Sequence, residues 1–305
     1  MTLLEISAIS THTPITAIVI YRNERRHLER CLRALRWCDE LIAVDMASSD
    51  GSIDIARRLA DRVYHVDAYP IAEPARVAAA KLASHDWVLL VDPDEEIPES
   101  LAEDMRRALA ERPGVGAVSL PMWFYFKGER LTGTVWGTLT YKRRLIHRRR
   151  CRLLPLCNRL NEMVEGFEDH RIEHRWLDTD HCSGNHMRHF WSDSYRELAW
   201  RHVRRYTHLE AAAMVARGQR FSLRWALTFP LHELNRTLRH FDGWRMGLRG
   251  WLLSAIYFVY VLGSTWLTAW YQWRPRRLAA DTVGAPATLR PDSATVAAGK
   301  RRAAA

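Results

Sequence analysis

Short apolar runs alternate with segments of helical periodicity through the first 126 residues of the chain. The runs Ile15–Tyr21 and Trp87–Val91 are apolar on both faces, which is typical of strands buried inside a sheet. Between the runs, apolar residues recur at intervals of three and four, as expected for amphipathic helices. The predicted strands are Ile15–Tyr21, 41–45, 63–66, Trp87–Val91 and 115–126, and the predicted helices are 28–35, 53–59, 73–83 and 98–110.

This alternation predicts an α/β fold with a parallel or mostly parallel sheet and helices on both faces. Ligands of such sheets bind at the carboxyl ends of the strands. Polar side chains follow three of the predicted strands, so we expect them at one edge of the sheet. They are Asn23 and Glu24 after the first strand, Asp45 after the second, and Asp92, Asp94 and Glu95 after the fourth.

The stretch from Trp87 to Glu95 carries the clearest chemical signal. A buried strand runs directly into three carboxylates, and core packing needs none of them. Carboxylates gathered at a strand end bind hard cations well, and a cation there can hold a diphosphate. The alternative is an acidic turn that ends a strand and starts a helix, since Pro98 and Glu99 are typical of a helix N-terminus.

The second half of the chain has fewer cues until residue 193. Helical periodicity then predicts one long helix containing Tyr195 and Tyr206 and a second over 223–238, with a kink at Pro230. Residues 250–273 contain no charged side chain and are long enough to span a bilayer, with Trp and Arg residues at both ends as interfacial anchors. The same helix could instead pack on its own domain or lie flat in the interface.

These patterns predict four parts: an N-terminal extension (1–13), an α/β ligand-binding domain (14–190), a helical region (191–275) containing the apolar helix 250–273, and a disordered tail (276–305). The net charge of +10 indicates a polyanionic neighbour. Because the basic clusters are not interleaved with aromatics, we expect a membrane surface and a diphosphate rather than nucleic acid.

The cysteine pattern and the N-terminal residues indicate in which cellular compartment the protein is expected. Five cysteines without a CxxC pair fit reduced thiols in the cytosol, and residues 1–14 lack the features of a signal peptide. His170 and His174 share a helical spacing, but the histidine-rich stretch around them lacks the two-pair spacing of structural zinc sites, so zinc is disfavoured.

Four segments resemble family 2 glycosyltransferases of the GT-A fold, in the branch that builds lipopolysaccharide core and other surface glycans. They are ITAIVIYRNE (15–24), LIAVDMASSDGS (41–52), WVLLVDPDE (87–95), and the C-terminal region beginning at MRHF (187–190). The first three, in this order and at these spacings, resemble the family's opening strand, its "VDSGSTDGT" and its DxD-type motif. The resemblance extends over about residues 14–273.

The resemblance implies roles for the matched positions. Asn23 and Glu24 would shape the nucleotide pocket, Asp45 would contact the base, Arg76 would face the nucleotide, Asp92 would contact the ribose, and Asp94 would ligate Mg2+ or Mn2+ bridging the donor diphosphate. The chain departs from the family pattern at Met46, Val77 and Pro93. Met46 and Pro93 change no charge, whereas Val77 replaces an expected Asn beside Arg76 and weakens that one assignment.

An inverting sugar transfer also needs a base that deprotonates the acceptor hydroxyl. Glu162 is the first candidate, because Asn161-Glu162 resembles a His-Glu of this branch, and Glu165 and Asp169 are the alternatives. Each of the three could equally be a solvated loop carboxylate.

The sequence thus predicts a metal-dependent glycosyltransferase that moves a sugar from a nucleotide-sugar donor, UDP-linked by expectation, to a lipopolysaccharide-type or lipid-linked acceptor. We expect it at the cytoplasmic face of the inner membrane, either lying on the surface or as a single-pass protein. The alternative is a catalytically silent nucleotide-binding or scaffolding protein on the same fold.

Overall fold

The computed structural model describes residues 12–69, 71–156, 159–274 and 287–294. The strands are β1 (Ile15–Tyr21), β2 (Glu40–Asp45), β3 (Arg62–His65), β4 (Trp87–Val91), β5 (Glu95–Glu96), β6 (Ala117–Phe126), β7 (Glu129–Arg130), β8 (Thr140–His147), β9 (Cys151–Leu156), β10 (Arg159–Met163), β11 (Asp169–Arg171), β12 (Met187–Ser192) and β13 (Arg290–Pro291). The helices are α1 (Arg25–Ala34), α2 (Ser52–Leu59), α3 (Glu73–Leu82), α4 (Glu99–Glu111), α5 (Tyr195–Trp200), α6 (Thr207–Ala216), α7 (Leu223–Asn235) and α8 (Leu248–Gln272). A π-helical segment, Arg201–Tyr206, joins α5 to α6.

The first half of the chain forms the predicted parallel sheet. Strands β3, β2, β1 and β4 lie side by side in that order, all parallel, and residues of β1 alternate between two apolar core clusters on opposite faces. The register pairs Tyr21 with Asp45 and Asp45 with His65. The ends of β1, β2 and β3 therefore lie in one row, and β4 ends beside β1 because Val91 pairs with Val19.

The second half of the sheet is built around the predicted strand β6 by strands that pair out of chain order. Strand β8 runs antiparallel between β4 and β6, and β12 lies parallel to the far end of β6. The short strand β5 pairs with β12, which sets His189 opposite Glu95. Long-range pairing thus brings residues about 95 positions apart to the end of β4.

Helix α8 presents polar side chains to the protein and apolar side chains to the outside. Ser254, Ser264, Thr265 and Thr268 are fully buried against the neighbouring helices. A Cβ atom at Gly263 would lie 2.7 Å from Thr207 Cγ2, so α6 and α8 pack closely. Within the described residues α8 is the one helix long and apolar enough to cross a membrane, and its exposed large apolar side chains are Leu248, Trp251, Leu252, Val259 and Trp266.

The described part of the predicted tail is ordered. Strand β13 adds to the edge of the sheet antiparallel to β3, with Arg290 opposite His65. Backbone pairing at the open edge of β3 and the buried Asp292 hold this segment against the sheet. The predicted extension at 1–11 and the tail residues 276–286 and 295–305 lie outside the described residues.

The helical region is joined to the sheet by His202 in the π-helical segment. Its ring lies 5.5 Å from Trp136, 5.0 Å from Trp191 and 5.4 Å from Tyr260, and its Nδ1 is 3.0 Å from the Leu198 carbonyl oxygen. Burial, with a smaller contribution from Arg201, lowers the pKa of His202 from 6.5 to about 4.

We predict that His202 makes the fold sensitive to mild acid. The unfolded chain takes up a proton near pH 6.5 and the folded chain only near pH 4, so stability is lost as pH falls through this window. His202 should contribute about 1–2 kcal/mol to the loss of stability between pH 7 and pH 5, and His202→Gln should remove that contribution. Urea denaturation at both pH values measures the difference, with the exposed His208→Gln as control. An unchanged pH difference in His202→Gln would contradict the prediction.

Candidate functional site

The loops that follow β1 and β2 are locked together. The Asn23 amide donates to Ser48 Oγ at 2.9 Å, and the Ser49 amide donates to Asn23 Oδ1 at 2.7 Å. Asn23 holds a positive φ of 55°, a conformation that asparagine tolerates better than most residues. The Asn23 side chain therefore shapes the rim of the site, while Glu24 is anchored through its amide to Ser52 Oγ at 3.0 Å.

Asp45 ends β2 and faces into this rim. Its side chain is buried, at 4% exposure, and accepts a hydrogen bond from the Ser48 amide at 3.2 Å. The neighbouring Tyr21 hydroxyl is buried and, among the described residues, has no hydrogen-bond partner. Burial and the nearby Asp45 carboxylate raise the pKa of Tyr21 far above its usual value, so Tyr21 is neutral.

Asp92 lies between two buried arginines. Arg76, on α3, and Arg144, on β8, both donate to its carboxylate, Arg144 at 2.6 Å. Burial opposes ionisation of Asp92, but the two guanidinium groups, Arg144 first, outweigh it and hold the pKa of Asp92 well below its usual range. Arg144 also donates to Glu95, whose Oε2 accepts from the Asp92 amide at 2.9 Å.

Asp94 lies beside His189. The distance from Asp94 Oδ2 to His189 Nε2 is 3.3 Å, and the backbone fixes the pair because the Phe190 amide donates to the Asp94 carbonyl at 2.8 Å. Burial alone would lower the pKa of His189, but the carboxylates, above all Asp94, outweigh it and raise that pKa. The imidazole stacks on Phe124 at 4.8 Å, which fixes the plane of its ring.

Negative charge accumulates around Asp94. Burial, and then the proximity of Asp94, raise the pKa of Glu24 to about 7, while Arg201 partly offsets both effects. Two carboxylates that oppose each other's ionisation create a potential that a divalent cation would relieve. Arg201, in the π-helical segment, interacts electrostatically with Asp94.

The donor atoms at this position fit Mn2+ or Mg2+. No group of three or more His, Cys, Asp or Glu side chains forms a metal cage among the described residues. Asp94 and His189 can supply one carboxylate and one imidazole, a set that suits Mn2+ when phosphate oxygens and water complete the coordination. The site thus fits a cation that binds together with a diphosphate.

The structure does not bring the three predicted candidates for the base to this edge. Asp169 pairs with Ala117 at the start of β6, whereas His189 pairs with Phe124, seven residues further along. Seven residues of strand span about 23 Å. Asp169 is held there by Arg143 at 3.0 Å and by Ser119 at 2.8 Å.

Glu162 and Glu165 lie at the same remote end. The β9–β10 hairpin follows the end of β8 at His147, which pairs with Trp87, the first residue of β4. Glu162 forms an ion pair with Arg152 in that hairpin, and Glu165 is exposed. As placed here, neither carboxylate can reach a hydroxyl at Asp94, which follows the opposite end of β4.

A cavity of about 570 Å3 opens near the hairpin rather than at Asp94. Its basic side chains include Arg148, Arg149 and Arg152. These arginines already pair with Asp86 and Glu162. The cavity therefore lies apart from the chemistry at the carboxyl edge.

Arg144 and Arg201 were not predicted as site residues from the sequence, whereas the fit of His189 to the family pattern indicated a diphosphate or acceptor contact. Arg144 belongs to a basic cluster on β8, and Arg201 belongs to another in the helical region. His189 lies in the MRHF segment, whose resemblance to the family was the available signal for it. Alternation of β8 could place Arg144 on a buried face, but only the pairing of β8 with β4 shows which carboxylate it meets.

The fold and the carboxylate-lined edge define an α/β protein that binds its ligand at the carboxyl ends of parallel strands. Residues 16–157 match the family described as Glycosyl transferase family 2. The matched segment contains the sequence-predicted residues of this edge, from Asn23 to Asp94. Over this segment the chain is similar to glycosyltransferase family 2.

Two curated relatives are glycosyltransferases by name. The lipopolysaccharide core biosynthesis glycosyltransferase LpsC of Rhizobium meliloti is 30% identical over 107 residues, covering 32% of this chain and 37% of the relative. An uncharacterized glycosyltransferase of Rickettsia bellii is 29% identical over 99 residues, covering 32% of this chain and 33% of the relative. The chain thus matches about a third of the length of these two relatives.

Solved structures with similarity to this chain include two complexes with sugar nucleotides. The mannosyltransferase PcManGT of Pyrobaculum calidifontis, in complex with GDP-Man and Mn2+, has a TM-score of 0.49 at 17% identity, covering 86% of this chain and 88% of its own. Residues 1–349 of TarS from S. aureus, in complex with UDP-GlcNAc, have a TM-score of 0.31 at 22% identity, covering 37% and 34%. The ligands named with each structure belong to that protein.

We predict that Arg144 holds the site together. Arg144→Met would leave the buried Glu95 without its cation and Asp92 with only Arg76, which should cost about 3 kcal/mol in the free energy of unfolding. Arg149→Met is the matched control, because Arg149 is 73% exposed where it pairs with Asp86 and should cost less than about 1 kcal/mol. Urea denaturation compares the two, and equal costs would contradict the role of Arg144.

Proposed function

We propose that this protein transfers a sugar from a nucleotide-diphosphate donor, UDP-linked, to a lipopolysaccharide-type or lipid-linked acceptor with the help of Mn2+ or Mg2+. The observation that carries the proposal is the placement of Asp45, Asp92 and the Asp94–His189 pair along one edge of the sheet. The match of residues 16–157 to glycosyltransferase family 2 supports the reaction type. The similarity to LpsC supports a lipopolysaccharide-type acceptor.

The donor would lie across the strand ends. Asp45, buried at the end of β2, would accept from the base, while the ionised Asp92 would accept from ribose hydroxyls. Arg76 then acts on the nucleotide through Asp92, because its guanidinium is already paired with that carboxylate. The diphosphate would extend to Asp94, in the loop after β4, and to His189, on β12.

Asp94 and His189 would hold the cation, and the bound cation would neutralise the developing charge of the leaving diphosphate. Arg201, which interacts electrostatically with Asp94, would add a fixed positive charge on the side of the cation that faces the helical region. Glu24, which interacts electrostatically with Asp94, would be a further acidic side chain near the cation. Inversion at the sugar requires the acceptor to attack from the face opposite the diphosphate, with a base beside its hydroxyl.

The helical region offers a surface for a lipid acceptor. Leu223, Leu227 and Leu231 recur every four residues on α7 and are 59%, 53% and 59% exposed. They extend the exposed apolar face of α8, whose opposite face packs on α6 and α7. Because α8 is tied to these helices along its length, we propose that the region lies in the interface rather than spanning the bilayer.

Basic residues border this apolar surface. Arg224 and Arg239 are exposed on and after α7, and Arg245 is exposed before α8. Such a combination fits a membrane with anionic lipid headgroups. We place the enzyme at the cytoplasmic face of the inner membrane, where nucleotide-sugar donors and lipid acceptors would meet.

We predict that Asp94→Asn lowers kcat/KM about 100-fold or more, because one ligand of the cation is lost. Donor turnover with Mn2+ measures the effect, and Mn2+ titration by calorimetry in the presence of UDP should show weaker metal binding. Full activity of Asp94→Asn at saturating Mn2+ would disprove the proposed role. Nucleotide binding by the wild type without transfer to any acceptor would favour the catalytically silent alternative.

Glu162→Gln is the matched control, since it neutralises a carboxylate at the remote end of the sheet. Activity should stay within about threefold of the wild type, as for an exposed ion pair far from the chemistry. The variants Glu165→Gln and Asp169→Asn should behave in the same way. A large fall in kcat at an unchanged donor KM in any one of them would instead identify that residue as the base expected from the sequence.

We predict that the α7 row binds the membrane. The double variant Leu227→Asp/Leu231→Asp should bind vesicles of phosphatidylethanolamine and phosphatidylglycerol at least about tenfold more weakly, because two leucines can no longer be buried in lipid. Sedimentation with vesicles measures binding. Leu177→Asp, at a residue that is 50% exposed in the α/β domain, is the control and should bind normally. Equal binding by all three proteins would exclude this surface.

A further inference from the structure

The C-terminal segment returns to the sheet beside the proposed nucleotide-base position. In β13, Arg290 pairs with His65 and Pro291 with Tyr64, and the Asp292 amide then donates to the Val63 carbonyl at 2.9 Å. His65 in turn is the register partner of Asp45. Residues from near the end of the chain therefore form the outer wall of the row that contains Asp45.

Asp292 is the buried residue of this segment, at 3% exposure. Its carboxylate accepts from Arg57 Nη2 at 2.9 Å and Arg57 Nε at 3.3 Å, and it lies 2.8 Å from His65 Nε2. Burying a carboxylate is costly unless it is paired in this way. A strand that only covers an open edge needs no such residue, so a second role for Asp292 is indicated.

His65 connects Asp292 to Asp45. Its Nε2 faces Asp292, and its Nδ1 lies 3.5 Å from Asp45 Oδ2. The Ser48 amide contacts the same Asp45 carboxylate. The carboxylate is thus fixed between a backbone amide and an imidazole, and Asp292 sets the orientation of that imidazole.

We propose that Asp292 is a positioning residue of the donor site, which acts through His65 to orient Asp45 toward the base of a nucleoside diphosphate. This inference rests on the proposed function, since it needs a nucleotide at Asp45. The C-terminal segment is then part of the donor site and contributes to base affinity. The diphosphate half of the site, at Asp94 and His189, lies on other strands and does not depend on it.

The test compares two variants of the full chain. Asp292→Asn keeps the shape of the side chain but removes the charge that His65 and Arg57 contact. Arg290→Gln is the matched control, because it removes an exposed ion pair with Asp67 from the same strand and leaves Asp292 in place. Calorimetry with Mn2+ measures the affinities of both variants for UDP and for inorganic pyrophosphate, and kinetics gives the donor KM and kcat.

We expect Asp292→Asn to weaken UDP binding and to raise the donor KM about five- to twentyfold, with pyrophosphate affinity and kcat within about twofold of the wild type. Arg290→Gln should match the wild type in all four quantities. This pattern separates orientation of the base contact from general damage, which would lower pyrophosphate affinity as well. If Asp292→Asn fails to fold, His65→Gln should give the same base-selective loss.

Three results would overturn the inference. They are normal UDP affinity in Asp292→Asn, an equal loss of UDP and pyrophosphate affinity, and an equal loss of UDP affinity in Asp292→Asn and Arg290→Gln. None of these outcomes contradicts the proposed function as long as the wild type binds UDP. Failure of the wild type to bind UDP or any other nucleoside diphosphate with Mn2+ would instead disprove the proposed function, and the inference with it.

Discussion

The pairing of Arg144 with Asp92 and Glu95 is the interaction on which the site depends. The three side chains lie where β4 ends, and at this depth the carboxylates would be costly without a guanidinium between them. Glu95 accepts from the Asp92 amide, so the same group that neutralises the charges also fixes the turn. Held in this way, the loop presents Asp94 to His189, and β5 can pair with β12.

The proposed donor site has two halves with different origins. The base half uses the row Tyr21–Asp45–His65 at the ends of parallel strands and is closed by Asp292 from the C-terminal segment. The diphosphate half uses Asp94 from the loop after β4 and His189 from β12, with Arg201 of the helical region nearby. Each half thus joins a parallel-sheet element to a later part of the chain, so the whole fold must form before a nucleotide could bind.

The helical region buries small hydroxyl side chains beside apolar ones such as Leu253 and Val261, and it exposes several large apolar side chains. Small hydroxyl side chains such as Ser264 and Thr268 are buried between helices, while Trp251, Trp266 and the leucine row of α7 face outward. In water this arrangement leaves apolar area exposed, and at a membrane interface the same area would be buried. The hydroxyl side chains of α8 at Ser254, Ser264, Thr265 and Thr268 are all fully buried. The hydroxyls of Ser264, Thr265 and Thr268 donate to carbonyl oxygens of the preceding turn, as Thr265 does to Val261 at 2.9 Å.

The sequence by itself determined the parallel half of the sheet, its helices and the shared edge of Asp45, Asp92 and Asp94. The reason is that the periodicity of each strand and helix, and their order along the chain, can be recognised from short segments. It did not determine the partners of those residues. Arg144 and His189 reach the edge through the pairing of β8 and β12, and Asp292 reaches it through β13, all of them contacts between segments far apart in the chain. The same long-range pairing sets Glu162 and Asp169, two of the candidates for the base, at the opposite end of the sheet from Asp94. Local patterns specify elements, whereas the neighbours of a side chain depend on which distant strands pair, and only the tertiary structure decides that.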